Sequence, residues 1–280
     1  MIRKTQQLFN NMKVSYLEAG EGAPLVLIHG VGMNAECWYP QLEAFSRDYR
    51  VIAVDMPGHG QSDGFRQAAT LEDYVHWLAD FLATQPEADF AVAGHSMGAL
   101  ITAGFAIEYP ERTNHAVVIS GVFQRSPQAS QAVLDRAEQL SRGQAQLDSP
   151  LTRWFSATPG EQRLREQVGD WLQQVDLQGY ARAYQAFAAG DRVYASRWSS
   201  LRCPVLVITG EFDANSSPEM ARQMALAAPN GRAVIIDNAK HMVSLTDAQR
   251  VNAEILGFLS PTAQRQTSQN DIEGVINGRG

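Results

Sequence analysis

The stretch Gly94-His95-Ser96-Met97-Gly98 sets a single hydroxyl between two glycines, after the apolar run at residues 90–93 and at the start of a helical pattern. A serine hydroxyl is a poor nucleophile at neutral pH and needs a base within hydrogen-bond reach. Among the six histidines, His29 ends a strand-like run, His59 lies in the turn "DMPGHGQS", His76 falls in a helical pattern, His95 adjoins the serine and His115 precedes a strand. His241 lies between the last strand-like run and the last helical segment, where a loop can reach across a sheet edge, so it is the expected base. A histidine base needs a carboxylate on its other nitrogen to fix the tautomer and to stabilise the imidazolium. The segment "TGEFDANSSP" offers two: Glu211, directly after a strand, and Asp213, further into the turn. Asp213 is assigned as the acid, with Glu211 in reserve. The two glycines fit this chemistry, because a tight strand-to-helix turn that projects Ser96 outward leaves no room for side chains at 94 and 98.

These residues require a rigid frame, and the apolar pattern describes one. Continuous β-branched or aliphatic runs occur at 24–30, 50–58, 89–96, 115–121, 204–211 and 232–241, with helical patterns at 37–49, 70–84, 96–109, 217–228 and 246–259. Runs without polar alternation mark strands buried on both faces, as in a parallel sheet covered by helices. Two further runs flank Asn10-Asn11, which is expected to form a hairpin turn that adds antiparallel strands at one edge. The alternation predicts an open, mostly parallel, doubly wound α/β sheet, with ligands at the carboxyl ends of its strands. Ser96, Asp213 and His241 all fall at such ends. Thr70 is the expected N-cap of its helix, with Asp73 in the first turn.

The rhythm breaks over residues 122–200, a helical insertion rich in Gln, Ala and aromatic residues that carries nine arginines and no lysine. An arginine there is suited to bidentate recognition of a substrate carboxylate. Residues 261–280 are polar and aperiodic and are expected to form a flexible C-terminal tail.

Composition narrows the partner. A formal charge of -7 with both signs interspersed leaves no electrostatic footprint for nucleic acid or an anionic membrane. No window approaches a membrane span, and no apolar stretch follows the N-terminal cations as in a secretory signal. The expectation is a cytoplasmic protein with a small-molecule substrate. Cys37 and Cys203 have no metal-ligand spacing and are expected to be reduced and packed.

Over residues 12–260 the chain resembles the α/β-hydrolase superfamily, in the serine-hydrolase branch with a helical cap that includes carboxylesterases and 3-oxoadipate enol-lactonase-like enzymes. The resemblance rests on "HGVGMN" (29–34), "DMPGHGQSD" (55–63), "GHSMG" (94–98), "GEFD" (210–213) and "AKHMVSLTD" (239–247). The chain order serine, acid, histidine is the one that fold imposes. It implies an eight-stranded sheet, a core formed by residues 1–121 and 201–260, and a cap at 122–200. It also assigns an oxyanion hole to the backbone N–H groups of Val31 and Met97, while His29, His59 and Asp55 become structural. Trp154 and Phe155 are the cap residues expected at the pocket. Serine rather than aspartate at the turn argues against haloalkane dehalogenases and epoxide hydrolases. The activity so implied is hydrolysis of a small-molecule carboxylic ester or lactone through an acyl-enzyme, without cofactor or metal. The alternative is a carbon–carbon hydrolase of meta-cleavage products or β-diketones; a perhydrolase and a non-catalytic binding protein of the same fold rank lower.

Overall fold

The computed structural model describes residues 1–144 and 148–260. The expected tail at 261–280 lies outside the described residues. Eight strands form one sheet: β1 (Ile2–Gln7), β2 (Lys13–Ala19), β3 (Ala23–Ile28), β4 (Tyr49–Val54), β5 (Phe90–His95), β6 (Thr113–Ile119), β7 (Val205–Gly210) and β8 (Gly231–Ile236). Their spatial order is β1-β2-β4-β3-β5-β6-β7-β8. Only the β1–β2 and β2–β4 pairings are antiparallel; the other five are parallel. The hairpin between the first two strands turns at Asn11, which takes φ 62°.

Both faces of the central strands β3 to β7 are buried, which is why those strands read as unbroken apolar runs. Within β3, Val26 and Ile28 join one hydrophobic cluster with the helices Leu71–Leu82, Met97–Glu108 and Pro218–Ala227, whereas Leu25 and Leu27 join another with Tyr39–Phe45 and Ala248–Leu259. That period-two split places helices on both sides, the double winding that patterning predicts. The helix Leu71–Leu82 begins with a full capping box between Thr70 and Asp73.

Strand order also creates the site. From β3 the chain steps outward to β4, then crosses back to place β5 on the other side of β3, so the loops leaving β3 and β5 diverge and open a crevice. Between β6 and β7 the chain leaves the sheet and forms the helices Pro127–Ser141, Asp148–Trp154, Pro159–Gln174 and Leu177–Gly190. Cys37 and Cys203 are both buried free thiols.

Candidate active site

Ser96 sits between β5 and the helix Met97–Glu108 with φ 55° and ψ −110°, a backbone conformation that non-glycine residues rarely adopt. Its surroundings enforce that conformation. A Cβ on Gly94 would fall on the carbonyl oxygen of Gly98, and one on Gly98 would fall on that of Ile28 at the end of β3. The Ser96 N–H is tied to the Ile119 carbonyl at 2.9 Å, which fixes the turn against β6. The hydroxyl is thus held at the strand's carboxyl end by crowding that permits only glycine on either side.

The predicted base and acid are adjacent. His241 Nδ1 and Asp213 Oδ2 are 2.8 Å apart, with both side chains almost fully buried. Burial by itself raises the Asp213 pKa, but the His241 ring and the N–H groups of Ser216 and Asn215 outweigh it and hold the carboxyl below its ordinary value. An ionised Asp213 accepts from Nδ1–H and leaves Nε2 as the nitrogen available to a proton on substrate or nucleophile. Glu211, the reserve, points elsewhere: its Oε2 accepts from the Asn238 N–H at 2.9 Å.

The loop carrying His241 is anchored through its own backbone. The His241 carbonyl accepts from His95 Nε2 at 2.9 Å and from Ser120 Oγ at 3.1 Å. The Ser120 carbonyl in turn accepts from Ser216 Oγ at 2.6 Å, and the Ser216 N–H donates to Asp213 Oδ1 at 3.0 Å. Nothing in the spacing of Ser120 marks it beforehand; its φ of 47° at the end of β6 is the structural sign.

The loop after β3 is braced by neutral imidazoles. His29 Nε2 accepts from Met56 N–H and His59 Nε2 accepts from Gly32 N–H, each at 3.0 Å, while their Nδ1–H groups donate to the carbonyls of Gly30 and Pro57. Burial depresses the His59 pKa to about 4 and drives that of His29 well below normal. Asp55 accepts from the Ala35 and Gln61 N–H groups and pairs with Arg3. His29 and His59 thereby hold Gly30 and Gly32, the residues on either side of Val31. Among the described residues neither the Val31 nor the Met97 N–H has a backbone acceptor. The Met97 N–H also lies at a helix N-terminus, where the dipole favours negative charge.

Ser96, Val31 and His241 open on one cavity of about 300 Å³. Its other wall comes from the inserted helices and includes Arg125, Arg136, Arg153, Trp154, Tyr184 and Phe187. The Trp154 ring stacks on His241 with centroids 5.7 Å apart. Phe155 departs from expectation and does not line the cavity. Its side chain is 1% exposed and packs in the opposite cluster with Trp171 and Leu172. Successive residues of a helical turn point about 100° apart, so when Trp154 faces the cavity its neighbour cannot. Sequence reasoning missed Tyr184 and Phe187 as wall residues; each is one aromatic among several in the insertion, and tertiary packing alone selects them. Among the described residues no cluster of three or more His, Cys, Asp or Glu side chains is placed to hold a metal ion, and no helix is long and apolar enough to cross a membrane.

A doubly wound sheet with a strained serine elbow at its switch point, and an Asp–His pair on the loops after its last two strands, defines a hydrolase-type α/β enzyme. The chain belongs to the alpha/beta hydrolase family, whose model matches residues 25–254. It is 48% identical over 262 residues to the (E)-2-((N-methylformamido)methylene)succinate hydrolase of Acinetobacter baylyi, covering 94% of this chain and 100% of that protein. A 2-hydroxy-6-oxononadienedioate/2-hydroxy-6-oxononatrienedioate hydrolase of Burkholderia vietnamiensis is 28% identical, with 89% of this chain and 91% of that one covered. Among solved structures, the enol-lactonase of Burkholderia xenovorans superposes with a TM-score of 0.83 at 24% identity, over 91% of this chain and 99% of that one, a likeness of fold.

Proposed function

We propose that this enzyme is a serine hydrolase whose substrate is an activated acyl compound of the amidomethylene-succinate type, with Ser96 as nucleophile, His241 as general base and acid, and Asp213 as its orienting carboxylate. Residues 122–200 act as the cap, and residues 1–121 with 201–260 as the catalytic core. The observation that carries the chemistry is that Ser96 and His241 open on one cavity while Asp213 holds the far nitrogen of the imidazole at 2.8 Å. The substrate class is supported by the full-length 48% identity to the Acinetobacter baylyi enzyme.

With (E)-2-((N-methylformamido)methylene)succinate, the Ser96 oxygen adds to the formyl carbon as His241 takes the hydroxyl proton. The resulting oxyanion rests against the Val31 and Met97 N–H groups, donors typically worth about 10² to 10³ in rate each. Collapse breaks the formyl carbon–nitrogen bond, and His241 returns the proton to the departing nitrogen. Water then attacks the formyl-enzyme with His241 again as base, releasing formate and restoring Ser96. An ordinary amide is a demanding target for such a site, but here the nitrogen lone pair is drawn into the conjugated alkene and carboxylate. The carbonyl is therefore more ester-like. A carboxylic ester or lactone passes through the same steps with oxygen as the leaving atom.

The test is formate release from that amide by the purified protein, followed by nuclear magnetic resonance. Wild-type turnover that disappears in Ser96→Ala is the expected result. No release from wild type, or equal release from both proteins, overturns the reading.

A further inference from the structure

The cavity wall facing Ser96 carries three arginines, Arg125, Arg136 and Arg153, and among the described residues that line it there is no Asp or Glu. The lining also includes Val31, Val122, Val133, Trp154 and Phe187, and among the three arginines Arg125 is the one whose charge burial opposes. The arginines come from different places in the insertion. Arg125 precedes the helix Pro127–Ser141, Arg136 lies within it, and Arg153 lies in Asp148–Trp154. Their convergence is a product of packing, not of a local run of basic residues.

The three are held differently. Arg125 is 3% exposed, pairs with Asp191 at 3.0 Å and stacks on Phe187 at 4.5 Å from its ring centroid. Even so, its Nη2 is buried with no protein acceptor among the described residues. Arg136 lies near Tyr180 and over the Tyr184 ring, its guanidinium carbon 5.9 Å from the ring centroid. Arg153 is the exposed member, with Nη1 3.3 Å from Ser149 Oγ on its own helix. Trp154 Nε1 is a second buried wall donor without an acceptor among the described residues. The wall therefore offers planar, oriented donors and wants acceptor oxygens, the inverse of the catalytic floor formed by the core.

We propose that Arg125, Arg136 and Arg153 form the binding surface for a dianionic substrate: two carboxylates dock on the insertion, and the scissile acyl group is thereby directed down to Ser96. This rests on the cavity being the site of the reaction proposed above and adds which residues select its substrate. Guanidinium groups suit the role because each presents a planar fork matched to a carboxylate. Hydrogen bonds to charged groups contribute enough that losing one arginine should weaken binding by about 10- to 100-fold.

The experiment measures binding apart from turnover. Ser96→Ala protein is titrated by calorimetry with 2-methylenesuccinate, the dicarboxylate portion of the proposed substrate, and with its uncharged diamide. The dianion should bind and the diamide should not. Adding Arg136→Gln or Arg153→Gln should weaken the dianion by about tenfold or more, with circular dichroism spectra and melting temperatures like the parent's to show that folding is intact. Arg153→Lys, which keeps charge but loses the fork, should fall between the two. Absence of dianion binding, equal binding of the diamide, or undiminished binding in both arginine variants overturns the proposal. Failure of the hydrolase reading registers separately, as a wild-type protein that binds the dianion but releases no formate.

Discussion

His95 Nε2 donates to the backbone carbonyl of His241 at 2.9 Å, so the residue immediately before the candidate nucleophile holds the main chain of the candidate base. The rings also lie against each other, with centroids 4.8 Å apart. A displacement of the serine elbow therefore carries the imidazole with it. Ser120 Oγ reaches the same carbonyl at 3.1 Å from the end of β6, which makes the anchor two-pronged.

His95→Ala and Ser120→Ala are accordingly expected to act on geometry. Each should lower kcat by about tenfold with KM changing little, since a small misplacement of a base is felt in the transition state more than in binding. The double variant should lose less than the product of the single effects, because both donors hold one oxygen. Steady-state kinetics on all three variants checks this; a change confined to KM would contradict a positioning role.

Asp213 and Glu211 are separated by a pair of amide substitutions. Asp213→Asn removes the acceptor for His241 Nδ1–H and favours the wrong tautomer, a loss of about 10⁴ in kcat for a comparable triad acid. Glu211→Gln keeps a carbonyl oxygen for the Asn238 N–H and should stay within a few-fold of wild type. The reverse pattern would move the acid's role to Glu211.

The limits of reading this chain from sequence are physical. The central strands were legible because burial on both faces leaves an uninterrupted apolar run, and the elbow because its crowding admits only glycine at 94 and 98. The Asp213–His241 pairing was legible because His241 alone among the histidines follows the last strand. The cavity wall was not, since Arg136, Tyr184 and Phe187 meet through the packing of Pro127–Ser141 on Leu177–Gly190, a long-range arrangement without a local signature. Helix ends were blurred for local reasons. The segment 246–259 reads as one helix, yet the chain breaks at Asp247 (φ −126°) into Val243–Thr246 and Ala248–Leu259. Likewise 37–49 divides into a short 3₁₀ turn, Ala35–Trp38, and the helix Tyr39–Phe45 with Pro40 in its first turn.

Crowding at the elbow predicts a sharp contrast between glycines. Gly98→Ala would drive a methyl into the Ile28 carbonyl at the end of β3, and Gly94→Ala into that of Gly98, so each should destabilise by several kcal/mol or prevent folding. Gly257→Ala, in the helix Ala248–Leu259 with nothing within 4 Å of the added carbon, should raise stability by up to about 1 kcal/mol. Thermal melts of the three variants test the ranking, and an elbow variant that melts like wild type would show that the turn relaxes.

Acid should unfold this enzyme through its buried histidines. Burial lowers the pKa of His59 to about 4 and of His95 to about 3 from an ordinary 6.5, and that of His29 falls too. Each is neutral in the fold, where its Nδ1 or Nε2 makes a hydrogen bond to a carbonyl, while the unfolded chain takes up protons below pH 6.5. The unfolded state thus binds more protons between pH 6.5 and about 4, and stability rises with pH across that window. The contribution is complete above pH 6.5 and is lost progressively on acidification, by on the order of a few kcal/mol in sum. Asp213, with its lowered pKa, acts in the same direction at still lower pH: its stabilisation is present above the ordinary carboxylate range and lost as pH falls through its depressed value. Urea unfolding at pH 7, 6 and 5 should give a steadily falling midpoint. A midpoint independent of pH over that range would mean that these imidazoles are not buried in the neutral form.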